Sequence, residues 1–206
     1  ISKNGLSEIK NRLKTILDAL AQTLDDNGQL FTVQEQIAAA FEIIAEIERD
    51  DFRKLYNVIP EGMNVELNLS CPSLGKSLPW DSAESFARTK EKRKWCICKV
   101  SPTVTPEDLE FLITKLGFTQ IHASNTLPLP GSGGLSGRTL IPYTLDIIRL
   151  IKEEWPEVTI IAGGGIKNWQ DIYQYLSKGA NHVSLGSVCF NPFKLRKILK
   201  KGNYEN

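Results

Sequence analysis

The sequence has little net charge, no long apolar run, no signal pattern and few cysteines, and each shortage removes a class of function. Its 25 Lys and Arg against 24 Asp and Glu leave a balance of +1 with no basic block. That excludes a nucleic-acid footprint, which needs clustered cations. No apolar stretch approaches the roughly 20 residues that a membrane helix requires. Cys71, Cys96, Cys98 and Cys189 form no paired CxxC framework. Four thiols in such a chain point to a reducing compartment, so the cytoplasm is the expected location. The chain opens on Ile1 rather than Met, with no signal-peptide pattern, so it is expected to start inside a longer protein. Low-complexity segments and short repeats are missing as well. What these shortages leave is a small-molecule substrate, no nucleic acid and no membrane; a homodimer stays open.

What is present suits one domain over 1–206, since 206 residues with 41% hydrophobic content can bury a substantial core. Helical spacing of apolar residues predicts helices over Leu6 to Leu24 and Gln34 to Arg49, with a short strand, Gln29 to Val33, between them. A polar loop from Asp50 to Met63 leads to a strand over Val65 to Leu69. Trp80 to Lys94 is charged and reads as a solvated helix or loop, and Trp95 to Val100 is a strand. Thr105 is an N-cap with Pro106 at the first helical position, opening a helix to Leu116 that Gly117 closes. The next strand is Thr119 to Ala123, followed by a Gly- and Pro-rich loop, Leu127 to Thr139. A helix over Tyr143 to Glu154, an apolar strand over Val158 to Ala162 and a helix over Asn168 to Lys178 come next. The strand His182 to Leu185 and a basic helix, Phe193 to Lys200, close the chain.

The strand–helix unit thus recurs about six times, with polar or Gly residues at the strands' carboxyl ends. This is the plan of a parallel α/β barrel of the TIM type, here with about six of its eight units. A doubly wound sheet is the alternative, but it would concentrate such residues near one switch point rather than spread them over five strand ends.

Those strand ends carry the chemistry. In Val65 to Ser73 an apolar run delivers an amide, a hydroxyl and a thiol to one point, and Pro72 stops the strand because it has no backbone donor. Alternation puts Asn68 and Ser70 on one face, with Cys71 on the turn beyond. An isolated Cys is more often a buried core thiol, so Cys71 gains interest only through its neighbours. Lys99 ends the next strand, and Ser124, Asn125 and Thr126 the one after. Gly163 to Gly165 and Gly186-Ser187 free backbone N–H groups that can converge on a phosphate, although turns needing positive φ are the commoner reason for Gly. Gly133 to Gly137 allow either close approach to a flat ring or a mobile surface loop. Cys96 and Cys98 share a strand face and read as core residues rather than a metal pair. His122 and His182 receive no role.

Taken together, Asn68 to Pro72, Lys99 before Ser-Pro, Ser124 to Thr126, Gly133 to Gly137, Gly163 to Gly165 and Gly186-Ser187 resemble dihydroorotate dehydrogenase. The resemblance runs from Leu6 to about Phe193 and is to the soluble class, in which the base is Cys. It implies a flavin-binding barrel and an FMN-dependent oxidation of dihydroorotate to orotate. It implies Cys71 as the base that takes a proton from C5 while hydride passes from C6 to the flavin, with Lys99 favouring the thiolate. It further implies FMN phosphate at Gly164, Gly165, Gly186 and Ser187, the flavin ring near Lys99, Gly133 and Gly134, and substrate contacts at Asn68, Ser73, Asn125 and Thr126. The family has Asn where this chain has Ser73, and an early Asn where Ser2 stands. Both replacements put a shorter hydroxyl arm in place of an amide, which leaves a related pyrimidine or similar flat ring as the alternative substrate. Counted from Gln29, the strands number six, so the first two of the barrel are expected to be missing; a truncated, non-catalytic barrel that binds phosphate or a partner is the reading of another class.

Overall fold

The computed structural model describes residues 45–48, 56–57, 59–69, 80–129 and 133–202, all within one compact unit, Ala45–Asn206. In chain order the elements are β1 (Ala45–Glu48), β2 (Val65–Asn68), α1 (Trp80–Ala87), β3 (Cys96–Val100), α2 (Pro106–Glu110) and β4 (Gln120–Ala123). After them come β5 (Leu127–Leu129), β6 (Gly133–Leu135), α3 (Ile141–Glu154), β7 (Thr159–Gly163), α4 (Trp169–Leu176), β8 (His182–Ser184) and α5 (Pro192–Gly202).

Six strands form one sheet in the order β1-β2-β3-β4-β7-β8, and every neighbouring pair is parallel. The order follows the chain without reversal, so among the described residues there is no switch point of the kind a doubly wound sheet needs. Consecutive parallel strands joined by helices are the wall of a (β/α) barrel, as the recurring unit predicts. The register sets Asn68 beside Lys99 and Lys99 beside His122. These three polar residues therefore lie in one row across the sheet.

The two faces differ in chemistry. Toward the helices, Leu67, Cys98, Ile121 and Ile160 pack with Phe86, Leu109, Leu112, Ile148, Ile151 and Tyr175 in one apolar cluster. Each fully buried Leu or Ile there contributes about 1.5 to 3 kcal/mol of transfer free energy. The alternate positions carry Glu66, Asn68, Lys99 and His122, so this face of the sheet is a wall for polar work. Cys96 and Cys98 are buried core residues, as their shared strand predicts. Burial pushes the Cys96 thiol up to about 11 and the Cys98 thiol well above its ordinary value.

Thr105 caps its helix as expected. Its Oγ1 accepts from the Asp108 N–H at 3.2 Å, and its own N–H donates to Asp108 Oδ2 at 3.3 Å. The helix runs on through a π-helical turn, Phe111–Lys115, and Gly117 at φ +70° ends it.

Three readings change. Ala45–Glu48 is a strand rather than the end of a helix: its apolar and acidic residues alternate, and parallel pairing with β2 overrides helix propensity. The helix over 6–24, the strand over 29–33 and the rest of the helix over 34–49 lie outside the described residues. The loop from Leu127 to Thr139 contains an antiparallel hairpin, β5 with β6. Pro128, Gly133 and Gly134 obscure it, and Pro is tolerated because the hairpin stands apart from the main sheet. Finally, the segment from Trp80 to Lys94 is not merely solvated: Ala83, Phe86 and Ala87 of α1 are buried, and so is Arg93 beyond it. The Arg93 guanidinium donates to the carbonyls of Pro60 and Met63 and lies over the Phe86 ring. Among the described residues no helix is long and apolar enough to cross a membrane.

Candidate functional site

The carboxyl ends of the sheet's strands open into a cavity of about 230 Å³, lined among others by Lys99, His122, Asn125, Thr126, Gly164 and Gly186. Backbone bonds beyond the regular ladder set its rim. The Leu69 N–H donates to the Lys99 carbonyl at 3.0 Å, and the Asn125 N–H to the Val100 carbonyl at 3.1 Å. Two amides meet there: Asn125 Nδ2 donates to Asn68 Oδ1 at 3.3 Å. Asn125 Oδ1 also accepts from the Thr126 N–H at 2.8 Å, which fixes the side chain in place.

Beneath the rim, Glu66 joins two basic side chains. Its Oε1 lies 3.2 Å from Lys99 Nζ and its Oε2 2.7 Å from His122 Nδ1. Burial by itself would raise this carboxyl, but the hydrogen bonds and charges of His122 and Lys99 outweigh it and hold Glu66 below the ordinary 4.5. Lys99 is therefore neutralised within the wall.

A second set of bonds holds the glycine loop after β7. Ser124 Oγ lies 2.9 Å from Thr144 Oγ1, which donates to the Gly163 carbonyl at 3.0 Å. Tyr175 donates from α4 to the Gly164 carbonyl at 2.7 Å. Burial pushes this phenol up to about 12, so it stays a donor at any neutral pH. Asp171, also on α4, accepts from the Lys167 N–H at 2.9 Å and pairs with Arg138 at 2.8 Å.

The glycines divide by what requires them. Gly164 and Gly165 have φ +92° and +73°, and added Cβ atoms would stand 3.0 Å from Leu140 and 2.8 Å from Ile141. Backbone conformation and packing account for both without a ligand. Gly186 is different, because its φ is −101° and a Cβ there would meet nothing within 4 Å. The space beside it is open, and a phosphate cradled by backbone N–H groups needs such space.

Of the residues singled out in the sequence, Lys99, Asn125, Thr126, Gly164, Gly165, Gly186 and Ser187 line the cavity, and Asn68 reaches it through Asn125. Gly133 and Gly134 form β6, where a Cβ on Gly134 would collide with Thr126, so hairpin packing requires Gly134 to be small. Ser2, Ser70, Cys71 and Ser73 lie outside the described residues. Three further residues belong to the wall, Glu66, His122 and Ser184: alternation places Glu66 two residues before Asn68 and Ser184 two before Gly186, whereas His122 shows itself only through the register.

Fold and site together define a parallel (β/α) barrel with a polar ligand cavity at the carboxyl ends of its strands. A family model described as dihydroorotate dehydrogenase matches residues 2–203. The chain is 30% identical over 226 residues to a dihydroorotate dehydrogenase B (NAD(+)), catalytic subunit, of Brachyspira hyodysenteriae, covering 95% of this chain and 69% of that one. The namesake of Thermotoga petrophila is 30% identical over 142 residues, covering 61% and 53%. A crystal structure of ligand-free dihydroorotate dehydrogenase from Eimeria tenella superposes with a TM-score of 0.59 at 23% identity, covering 74% of this chain and 54% of that one, which supports the barrel fold. The chain belongs to the dihydroorotate dehydrogenase family. It spans 69% of the Brachyspira relative and about half of the others.

Proposed function

We propose that the chain binds FMN and forms the site at which dihydroorotate is oxidised to orotate. The observation that carries this reading is one cavity where Lys99, Asn125, Gly165, Gly186 and Ser187 converge at the carboxyl ends of successive strands. The residues fit the cofactor. Gly186 leaves open space beside the Ser187 hydroxyl for a phosphate, and Lys99 with His122 offers polar groups to a flat ring.

FMN, when bound, supplies the hydride acceptor for the substrate's C6. The chain's own part is to hold and deprotonate. Asn68 and Asn125, joined at 3.3 Å, orient the pyrimidine edge by amide donors and acceptors. Cys71, three residues beyond the end of β2 in the sequence, takes the proton from C5 as a thiolate. A free thiol titrates near 8.5, so a general base there needs local help to act at neutral pH. Lys99, paired with Glu66 in the wall of the same cavity, supplies that help together with dipoles and the bound ligands. The name shared by the Brachyspira and Thermotoga relatives, catalytic subunit of an NAD(+) enzyme, supports a partner that carries the electrons onward. The full chain, purified and heat-denatured, should release FMN identifiable by its mass and fluorescence. Protein that cannot be loaded with FMN would remove the reading.

A further inference from the structure

His122 brings to the cavity wall an imidazole of which one nitrogen is bonded within the wall. The side chain is 7% exposed, and its Nδ1 is 2.7 Å from Glu66 Oε2. Glu66, its carboxyl below the ordinary 4.5, is ionised at neutral pH, so it can only accept, and Nδ1 must carry the proton. In the neutral ring the other nitrogen, Nε2, is then a bare acceptor. Among the described residues Nε2 has no hydrogen-bond partner, and its ring lines the cavity. Gly163 keeps it uncovered, since a Cβ there would stand 2.8 Å from Nε2. On the neighbouring strand the register partner of His122 is Lys99, a donor that lines the same cavity.

An acceptor beside a donor is the complement of a ring edge that offers N–H next to C=O. We propose that His122 reads such an edge: its Nε2 accepts the hydrogen bond of a ring N–H while Lys99 donates to the adjoining carbonyl. The inference rests on the proposed function, because both the flavin ring and the dihydropyrimidine carry an N–H between carbonyls. Which of the two docks here is decided by the test.

The full chain is compared with His122→Leu in binding FMN against N3-methyl-FMN and, once loaded with FMN, orotate against N3-methylorotate. Wild type should prefer one unmethylated ligand over its methylated form, and in His122→Leu that preference should shrink by roughly 2- to 12-fold, one net hydrogen bond. The affected pair identifies the ring. Should His122→Leu fail to fold, Glu66→Gln serves instead: a Gln amide can donate to Nδ1, moving the proton to Nε2, and the same preference should fall. Independently of any ligand, nitrogen-15 NMR of the wild-type imidazole should report the Nδ1–H tautomer. The Nε2–H tautomer, or preferences that neither variant alters, would overturn the inference while leaving FMN binding intact. A wild type that binds neither ring overturns the function and the inference together.

Discussion

At the scale of single residues the account turns on which groups carry charge in the cavity wall. Glu66 is held low by His122 and Lys99 against the burial that would raise it. A carboxyl with a folded pKa below its unfolded one contributes stability that is present above the unfolded value and lost as pH falls through the folded one. The resistance of wild type to urea should therefore weaken as pH drops below about 4.5, and Glu66→Gln should remove part of that acid dependence; an unchanged acid limb would mean that the pair contributes nothing to folding. Cys71 is the other residue to test. Proton transfer by a positioned side chain is typically worth about 10²- to 10⁴-fold, so Cys71→Ala should slow anaerobic flavin reduction by that factor with flavin content unaltered. An Ala variant as fast as wild type would make Cys71 a structural thiol. Lys99 and Asn125 were legible because strand-end polar residues stand out beside apolar runs. His122 was not, because Gln-Ile-His-Ala reads as an ordinary core strand until the register sets it beside Lys99.

Among the elements, the glycine loops separate what packing demands from what a ligand demands. Gly164→Val has to carry a side chain at φ +92° and against Leu140, so it should lower the melting temperature whether or not flavin is present. Gly186→Val meets no such wall; it should fold with a melting temperature near wild type and lose FMN, read by equilibrium dialysis. Full FMN retention in a folded Gly186→Val protein would place the phosphate elsewhere. In the sequence these two glycines look alike, since a Gly after a strand does not reveal whether φ or a ligand requires it. The capping box at Thr105 was legible because its whole mechanism lies within four adjacent residues, Thr105 to Asp108. The strand β1 was not, because four residues of alternating pattern at the end of a longer helical pattern are decided by the neighbour they pair with, β2. Hairpin β5–β6 was hidden by Pro128 and its glycines for the same reason: pairing is a tertiary fact.

For the whole molecule, the order of strand–helix units was readable because each unit repeats the same apolar strand and polar carboxyl end, and chain order alone then gives a sheet without a switch point. Substrate identity was less readable. Ser73 changes one contact of the family pattern, and no count of strands decides what that contact does. The central claim, that this chain oxidises dihydroorotate through a bound flavin, is tested most directly by one spectrum. The full-length protein loaded with FMN is mixed with dihydroorotate without oxygen, and the flavin absorbance near 450 nm is followed. The account predicts bleaching, with orotate formed in an amount equal to the flavin reduced. A flavin that stays oxidised in the presence of saturating dihydroorotate, in protein that demonstrably binds both, would contradict it.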